Sequence, residues 1–375
     1  MADRRIKVLA LSPIPEEGAG CRFRIAQYVP YLREHGIDVT ISAFYDRAYF
    51  DLVYQPGRYG SKALKFVALA ARRWLELLTV GKYDVIFLYR EAIPLGPPWL
   101  EWMIAKSNVP IVYDFDDAIF LPAVSQANRV IAFLKQPGRV TTILEHSRRV
   151  VVGNDYLAAF ARRHNHDVTV IPTAVDTTKF APRTSRRPDG RLVVGWIGSP
   201  TTFPYLEGLA GVLRDAAARQ PFVLKVSGAG RRVHFPGVEV EEVRWSMADE
   251  VSLFNTCDVG VYPLTDDEWS KGKCGFKAIQ CMACGVPVVA ARVGVNREII
   301  EDGANSFLAS THDEWVDKLT RLLADADLRA AMAAAGRRTI EERYSLRVTA
   351  PQLAAVLASA VDSTVATTAV AQGQV

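Results

Sequence analysis

Short apolar runs alternate with longer amphipathic segments along the whole chain, and this alternation limits the fold more than any other feature. Six runs in the first half are predicted strands: Ile6–Leu11, Asp38–Ala43, Asp84–Tyr89, Pro110–Phe115, Arg149–Val152 and Val168–Ile171. Six more follow at Leu192–Ile197, Phe222–Ser227, Val238–Val243, Asp258–Tyr262, Pro287–Ala291 and Ser306–Leu308. They read as continuous apolar stretches, as strands buried on both faces do. Helices are predicted near 22–35, 61–80, 97–107, 139–147 and 154–165, then near 204–219, 246–256, 276–284, 313–324 and 327–344. Strand-helix alternation of this kind gives parallel sheets with helices on both faces.

Between the two sets lies FAPRTSRRPDGR, residues 180–191, polar and rich in Pro and Gly as a linker should be. The expected class is α/β, with two Rossmann-like doubly wound domains facing a cleft. Their spans are 1–178 and 179–345, with a helix at 346–362 that crosses back to the first domain and a disordered tail at 363–375.

With 375 residues and 49% hydrophobic content, two sizeable cores are available. A net charge of +4 is too mild to demand nucleic acid, and no aromatic stacking motif accompanies it. It suits anionic small molecules or an anionic membrane surface. Five cysteines, an odd number, fit reduced thiols and a cytoplasmic location. The apolar run near the start covers about six residues, too short for a signal-peptide core. No stretch approaches the roughly 20 apolar residues of a spanning helix. SKALKFVALAARRWLELL, residues 61–78, is amphipathic and carries Lys62, Lys65, Arg72 and Arg73. It reads either as a core-packing helix with solvated basic residues or as a peripheral contact to the inner face of a membrane.

The densest chemistry is in KGKCGFKAIQCMACGVPVVAA, residues 271–291. A Gly loop with two lysines enters a short helix. Backbone N–H groups at a helix start favour negative charge, and Lys273 and Lys277 add full charges beside them. Gly275 is expected to let a ligand approach the backbone. The loop reads as a diphosphate site made by Lys273, Cys274, Gly275, Phe276 and Lys277. The plainer alternative is a loop-helix-strand unit with solvated lysines. A CxxC at Cys281 and Cys284 lies inside the helix without a second ligand pair, so buried thiols are expected and no metal.

Other candidates flank strand ends. Gly18, Ala19 and Gly20 precede a helix bearing Arg22 and Arg24, readable as a ligand-facing wall or as a plain turn. Asp114, Asp116 and Asp117 end a strand, where carboxylates hold a metal, bind hydroxyls, act as a base or cap a helix. A polar lining is expected there rather than a metal site. Gly198, Ser199, Pro200, Thr201 and Thr202 form a second turn before a helix, a phosphate cradle or a cap. Gly228 and Gly230 end another strand, and Arg244 is placed near a nucleotide base.

Taken together, these segments resemble the family 4 glycosyltransferases of the GT-B fold. The strongest likeness is CMACGVPVVAARVGVNREIIEDGANSFLA, residues 281–309, which resembles the family's donor-site signature. The resemblance implies an enzyme that transfers a sugar from a nucleotide-diphosphate sugar such as a UDP-sugar, as a bacterial hexosyltransferase would. It also implies retention at the anomeric carbon, with no metal or other cofactor. The acceptor is unknown: a saccharide, a lipid-linked sugar, a natural product or a protein. Oligomeric state is open. Two glutamates of the family pattern align here with Gly272 and Gln280, and a branch of the family carries a similar GKCGFK loop. The resemblance thus implies that Gln280 binds the ribose, that Asp267 or Glu268 substitutes at the sugar, and that Asp116 stands where the family has a histidine. Lys273 and Lys277 would replace the family's Arg and Lys clamp on the diphosphate. A non-catalytic nucleotide-sugar binder and a GT-B nucleotide-sugar epimerase are the alternatives.

Overall fold

The computed structural model describes residues 4–53, 55, 57–121, 138–182 and 190–372, with side chains to 362. Most of the expected linker, 183–189, lies outside the described residues, as do 1–3 and 373–375. The chain divides into two units. One runs to Thr173 and resumes at Thr349; the other is Ala174–Val348. The sequence-based boundaries were 178/179 and 345/346.

In the first unit six parallel strands, β1 (Ile6–Ser12), β2 (Ile37–Ala43), β3 (Val85–Tyr89), β4 (Ile111–Phe115), β5 (Arg149–Val152) and β6 (Val168–Val170), form one sheet in the order β2-β1-β3-β4-β5-β6. Val8 stands opposite both Val39 and Val85, so β-branched side chains meet across three strands. The central strands β3 and β4 are buried at every position, the burial expected of continuous apolar runs.

The second unit repeats the plan with β7 (Val193–Ile197), β8 (Val223–Ser227), β9 (Glu239–Val243), β10 (Val259–Tyr262), β11 (Val288–Ala291) and β12 (Phe307–Ala309). Their order is β12-β11-β10-β7-β8-β9. In this sheet β9 alone has no fully buried position, consistent with its place at the sheet edge. Helices Ala210–Arg219 and His312–Ala324 pack together over the sheet, burying Leu213, Trp315 and Leu319 against Val194, Leu224 and Val289. Each such side chain contributes roughly 1.5–3 kcal/mol by leaving water. A capping box of Thr311 and Glu314 starts the second of these helices.

The predicted helix at 22–35 is broken. Ala19–Arg24 and Val29–Glu34 flank a single 3₁₀ turn, because Pro30 has no N–H to continue a ladder. The helix at 204–219 divides at Gly208 into Phe203–Glu207 and Ala210–Arg219. The last helix, Leu346–Gln372, places Thr349 and the residues after it in the first unit, where Tyr28 Oη and Thr349 Oγ1 are 3.1 Å apart. Its backbone continues past 363, where a disordered tail was expected, over a stretch without Gly or Pro up to Gln372. Among the described residues, no helix is long and apolar enough to cross a membrane.

Candidate active site

In the second sheet the chain leaves β7 toward β8 on one side and returns to β10 on the other. Loops at the carboxyl ends of β7 and β10 therefore diverge and leave a crevice, the place where open α/β sheets bind ligands. Beside this switch point a water-sized cavity of about 10 Å³ lies against the faces of β7 and β10, lined by Gly195, Ile197, Gly260, Tyr262, Lys277 and Cys281, among others. The lysine loop thus reaches the switch point of this sheet.

The loop is held from several sides. Asp267 caps the short helix Glu268–Lys271, accepting from the Ser270 N–H at 2.7 Å. Glu268 is ion-paired to Lys271 at 2.6 Å. Asp267 and Glu268, expected near the sugar, are thus a cap and a surface pair. Lys273 Nζ lies 5.4 Å from the Trp269 ring centroid. Gly275 then turns the chain with φ +65° into the helix Phe276–Ala283. A Cβ at Gly275 would lie 2.2 Å from Ile299 Cδ1 and 3.1 Å from Val295 Cγ1. The Cα side of Gly275 is therefore packed against the 295–299 segment, which by itself requires glycine there. Gly275→Ala combines a left-handed backbone with this overlap. It is expected to lower stability by about 2–4 kcal/mol, read as an earlier urea transition.

Lys277 Nζ donates to Gln280 Oε1 at 2.8 Å, and Gln280 Nε2 donates to Glu250 Oε1 at 3.2 Å. Gln280 is 0% exposed and Glu250 1%. Gln280, expected to bind ribose, is instead the buried link between Lys277 and Glu250. A neutral amide suits this position, since it accepts from one neighbour while donating to the other. A glutamate here would face the Glu250 carboxylate in a dry interior, which would raise the pKa of the introduced carboxyl. Gln280→Glu is accordingly expected to be destabilised, and more so as pH rises, because a raised carboxyl pKa in the fold costs stability once the group must ionise. A melting-temperature series across pH checks this.

The second predicted turn lies beside the first. Gly198 N–H donates to Ser227 O at 3.0 Å, joining the ends of β7 and β8. Gly228 has φ +89°, and a Cβ there would lie 2.2 Å from Gly198 O. Ser199 Oγ sits 2.9 Å from Thr201 Oγ1, and Thr202 Oγ1 accepts from the Ser199 N–H at 3.0 Å. These hydroxyls tie the turn to itself, and the helix that follows, Phe203–Glu207, has only five residues. Pro200 packs toward Gly230. Tyr205 Oη, 3.4 Å from Ser270 Oγ, connects this segment to the lysine loop. Arg244 is exposed just after β9. That strand lies two places from β7, about 10 Å away.

The first sheet has its own switch point, between β1 and β3. Gly18 caps Ala19–Arg24, and Gly20 lies so close to Tyr89 that a Cβ would meet its hydroxyl at 2.2 Å. Tyr89 Oη donates to Asp116 Oδ1 at 2.8 Å. Arg90, held at φ +58°, donates to Asp116 Oδ1 at 2.7 Å and to Asp117 Oδ2 at 2.5 Å. Burial works to raise the Asp116 pKa, but Arg90, Arg24 and these hydrogen bonds outweigh it and hold the carboxyl below its usual range. An ionised, engaged carboxylate is a poor proton acceptor and a good anchor. Its stabilisation is present above the ordinary carboxylate pKa of about 3.9 and is lost as pH falls through the lower folded value. In acid titrations of unfolding, Asp116→Asn is expected to flatten that loss.

Arg24 and Asp114, expected to face a ligand, do not. Arg24 is 3% exposed and Asp114 0%, and they form a two-pronged ion pair, with Nε to Oδ2 at 2.9 Å. Arg24 Nη1 also donates to Ile171 O at 2.8 Å, so the pair bolts the first helix to β4 and the end of β6. Desolvation works against the Arg24 charge, but Asp114 outweighs it and raises the pKa. Arg22 is 8% exposed and donates to Glu16 O and Glu17 O at 3.4 and 3.3 Å, closing the loop before its own helix. The strand-end position that suggested a ligand site also suits a buried clamp, and spacing does not separate the two.

All five cysteines are free thiols. Burial pushes Cys21 and Cys284 up to about 12 and Cys281 well above the usual thiol value. Iodoacetamide at pH 8 is expected to label these three far more slowly than in urea, since the thiolate is the reactive form. Among the described residues, no group of three or more His, Cys, Asp or Glu side chains is arranged to hold a metal.

Sequence reasoning missed Glu250, Tyr89, Arg90 and Asn296. Glu250 looks like an acid in a first helical turn. Arg90 looks like a loop residue, and its positive φ has no sequence signature. Asn296 is 0% exposed and donates to Ala291 O at 2.9 Å, fixing the turn after β11 that packs on Gly275.

Residues 208–325 match the family model of glycosyl transferases group 1. A D-inositol 3-phosphate glycosyltransferase of Stackebrandtia nassauensis is 30% identical over 44% of this chain and 43% of its own. One from Xylanimonas cellulosilytica is 27% identical over 70% and 69%. This chain thus spans less than half the length of the first and about two thirds of the second. Among solved structures, sucrose-phosphate synthase of Thermosynechococcus elongatus superposes with TM-score 0.69 at 16% identity, covering 96% of this chain and all of that one. Anabaena HepE, in complex with UDP and glucose, superposes with TM-score 0.66 at 21% identity over 95% of this chain and all of its own. With two six-stranded parallel sheets that superpose on these structures over nearly their whole length, the chain has the two-domain Rossmann-like GT-B fold, and residues 208–325 of its second unit are similar to glycosyl transferases group 1.

Proposed function

We propose that the protein transfers a sugar from a nucleotide-diphosphate sugar, with a UDP-sugar the first choice, to an acceptor hydroxyl, with retention and without a metal. One observation carries the reading. Lys277 lines the small cavity beside β7 and β10, the strands that flank the switch point, with Lys273 four residues before it on the loop that enters the helix. Negative charge develops on the departing diphosphate. Two ammonium groups and the N–H groups at the helix start neutralise it without moving, in a partly dry crevice where such charges act strongly. The lysines do the work often given to a divalent ion, which supports metal independence. The acceptor is assigned to the first unit, at the loops around Gly20, Tyr89, Arg90 and Asp116. Asp116 there positions rather than takes a proton. The leaving diphosphate is then the base for the incoming hydroxyl.

The Anabaena structures hold UDP and UDP-glucose, which supports a uridine donor here. Thermal shift against UDP-, GDP-, ADP- and dTDP-sugars, with and without EDTA, tests the reading. A ligand at 100 times its dissociation constant stabilises by about 2.7 kcal/mol. A shift with one base class, unchanged by EDTA, is expected. No shift with any donor overturns the donor site. A second reading, a nucleotide-sugar binder without turnover, is favoured by Gly272 standing where the family pattern has a glutamate. A shift without any nucleoside diphosphate released in the presence of acceptors would select it.

A further inference from the structure

Nine of the ten large hydrophobic side chains exposed among the described residues fall between Tyr59 and Met103, so the surface apolarity is gathered on one region of the first unit. Helix Tyr59–Glu76 is 18 residues long and has two faces. Phe66, Leu69 and Ala70 pack inward with Phe44 and Tyr49. Leu64, Val67, Ala71, Leu75 and, in the following 3₁₀ turn, Leu78 recur at steps of three and four and form an outward stripe. Leu64 is 75% exposed and Leu78 83%. The turn Leu77–Lys82 touches helix Trp99–Ala105, which adds Trp99, Trp102 and Met103 to the exposed apolar side chains.

The exposed charges on these elements have one sign. Arg58, Lys82 and Lys106 are exposed, as is Arg72, whose guanidinium is turned to Ala43 O and Phe44 O. The two acids of these elements turn away. Glu76 pairs with Arg73 at 2.7 Å, and Glu101, 2% exposed, with Arg139 at 3.3 Å. Lys106 Nζ lies 3.4 Å from the Trp102 ring centroid, an aromatic-cation pair suited to a headgroup layer.

We propose that this face docks on an anionic lipid bilayer, with the stripe of Leu64, Val67, Leu75 and Leu78 at the acyl boundary and Arg58, Lys82 and Lys106 among the headgroups. A second copy of the chain is a poor occupant, since pairing this face with itself would set its basic rim against an equally basic one. A bilayer answers both the outward apolar stripe and its basic rim. The inference is independent of the donor assignment.

The test is co-sedimentation of the full chain with vesicles of phosphatidylcholine alone and of phosphatidylcholine mixed with phosphatidylglycerol. Binding to the mixed vesicles is expected to be at least about tenfold tighter and to weaken with salt. The variant Leu64→Ser/Leu75→Ser/Leu78→Ser alters exposed positions only. It should keep the wild-type melting curve and its UDP affinity while losing at least about tenfold in vesicle binding. Lys82→Glu/Lys106→Glu should remove the preference for anionic vesicles. Absence of vesicle binding, equal binding by the triple-serine variant, or a dimer in light scattering that the serines dissociate would each overturn the proposal.

Discussion

Lys277→Ala is expected to lower kcat/KM by about 10²–10³-fold, the usual cost of removing one preorganised group that stabilises developing charge. The fold should survive with a stability lower by about 1–3 kcal/mol, because the side chain is only half-buried but its loss leaves the buried Gln280 Oε1 without this donor. Its Nζ donates to Gln280, its side chain lines the small cavity beside β7 and β10, and the ammonium is 5.6 Å from the Phe254 ring centroid and 5.7 Å from that of Phe276. Those rings and the buried amide fix the ammonium in place, which is what gives the charge its effect in the transition state. Lys277→Arg keeps the charge but changes its position, and is expected to recover part of the rate. Steady-state kinetics with a melting curve for each variant separate lost chemistry from lost structure.

Arg24→Ala is expected to destabilise the first unit by about 3–5 kcal/mol, the usual effect of stripping one partner from a buried ion pair. Asp114, 0% exposed, would remain without its main partner, and it would take up a proton rather than stay charged. The loss should therefore shrink as pH is lowered, since a raised carboxyl pKa costs stability only above it. Replacing both residues, Arg24→Met/Asp114→Leu, is expected to restore much of the loss. Urea unfolding followed across pH would show both effects.

The fold was legible because its signal is repeated. The strands predicted from apolar runs begin and end within about a residue of those in the two sheets, since a parallel strand covered on both faces leaves little choice of residue. Breaks inside helices were less visible. Pro30 marks one, but the division at Gly208 depends on how Phe203 and Leu213 meet the same core. The site was legible only as a set of loops. Spacing placed Lys273, Lys277 and the Gly198–Thr202 turn at strand ends, where the topology brings their elements together. It did not tell a ligand-facing charge from a clamped one. Arg24 and Asp114 have the composition of a binding wall, and three-dimensional packing makes them a bolt. Gln280 shows the same limit. Its amide departs from the family pattern, and the reason, Glu250, is 30 residues away and meets it only in the folded unit.

Isothermal titration of UDP into the wild-type protein and the Lys273→Ala/Lys277→Ala variant tests the central claim most directly. Each lysine is expected to contribute about 1.5–3 kcal/mol through charge-assisted hydrogen bonds. The account therefore predicts saturable binding by the wild type and at least about a hundredfold loss in the variant, which should still unfold in one cooperative transition well above the titration temperature. Equal affinity in the two proteins would contradict it and place the nucleotide diphosphate elsewhere.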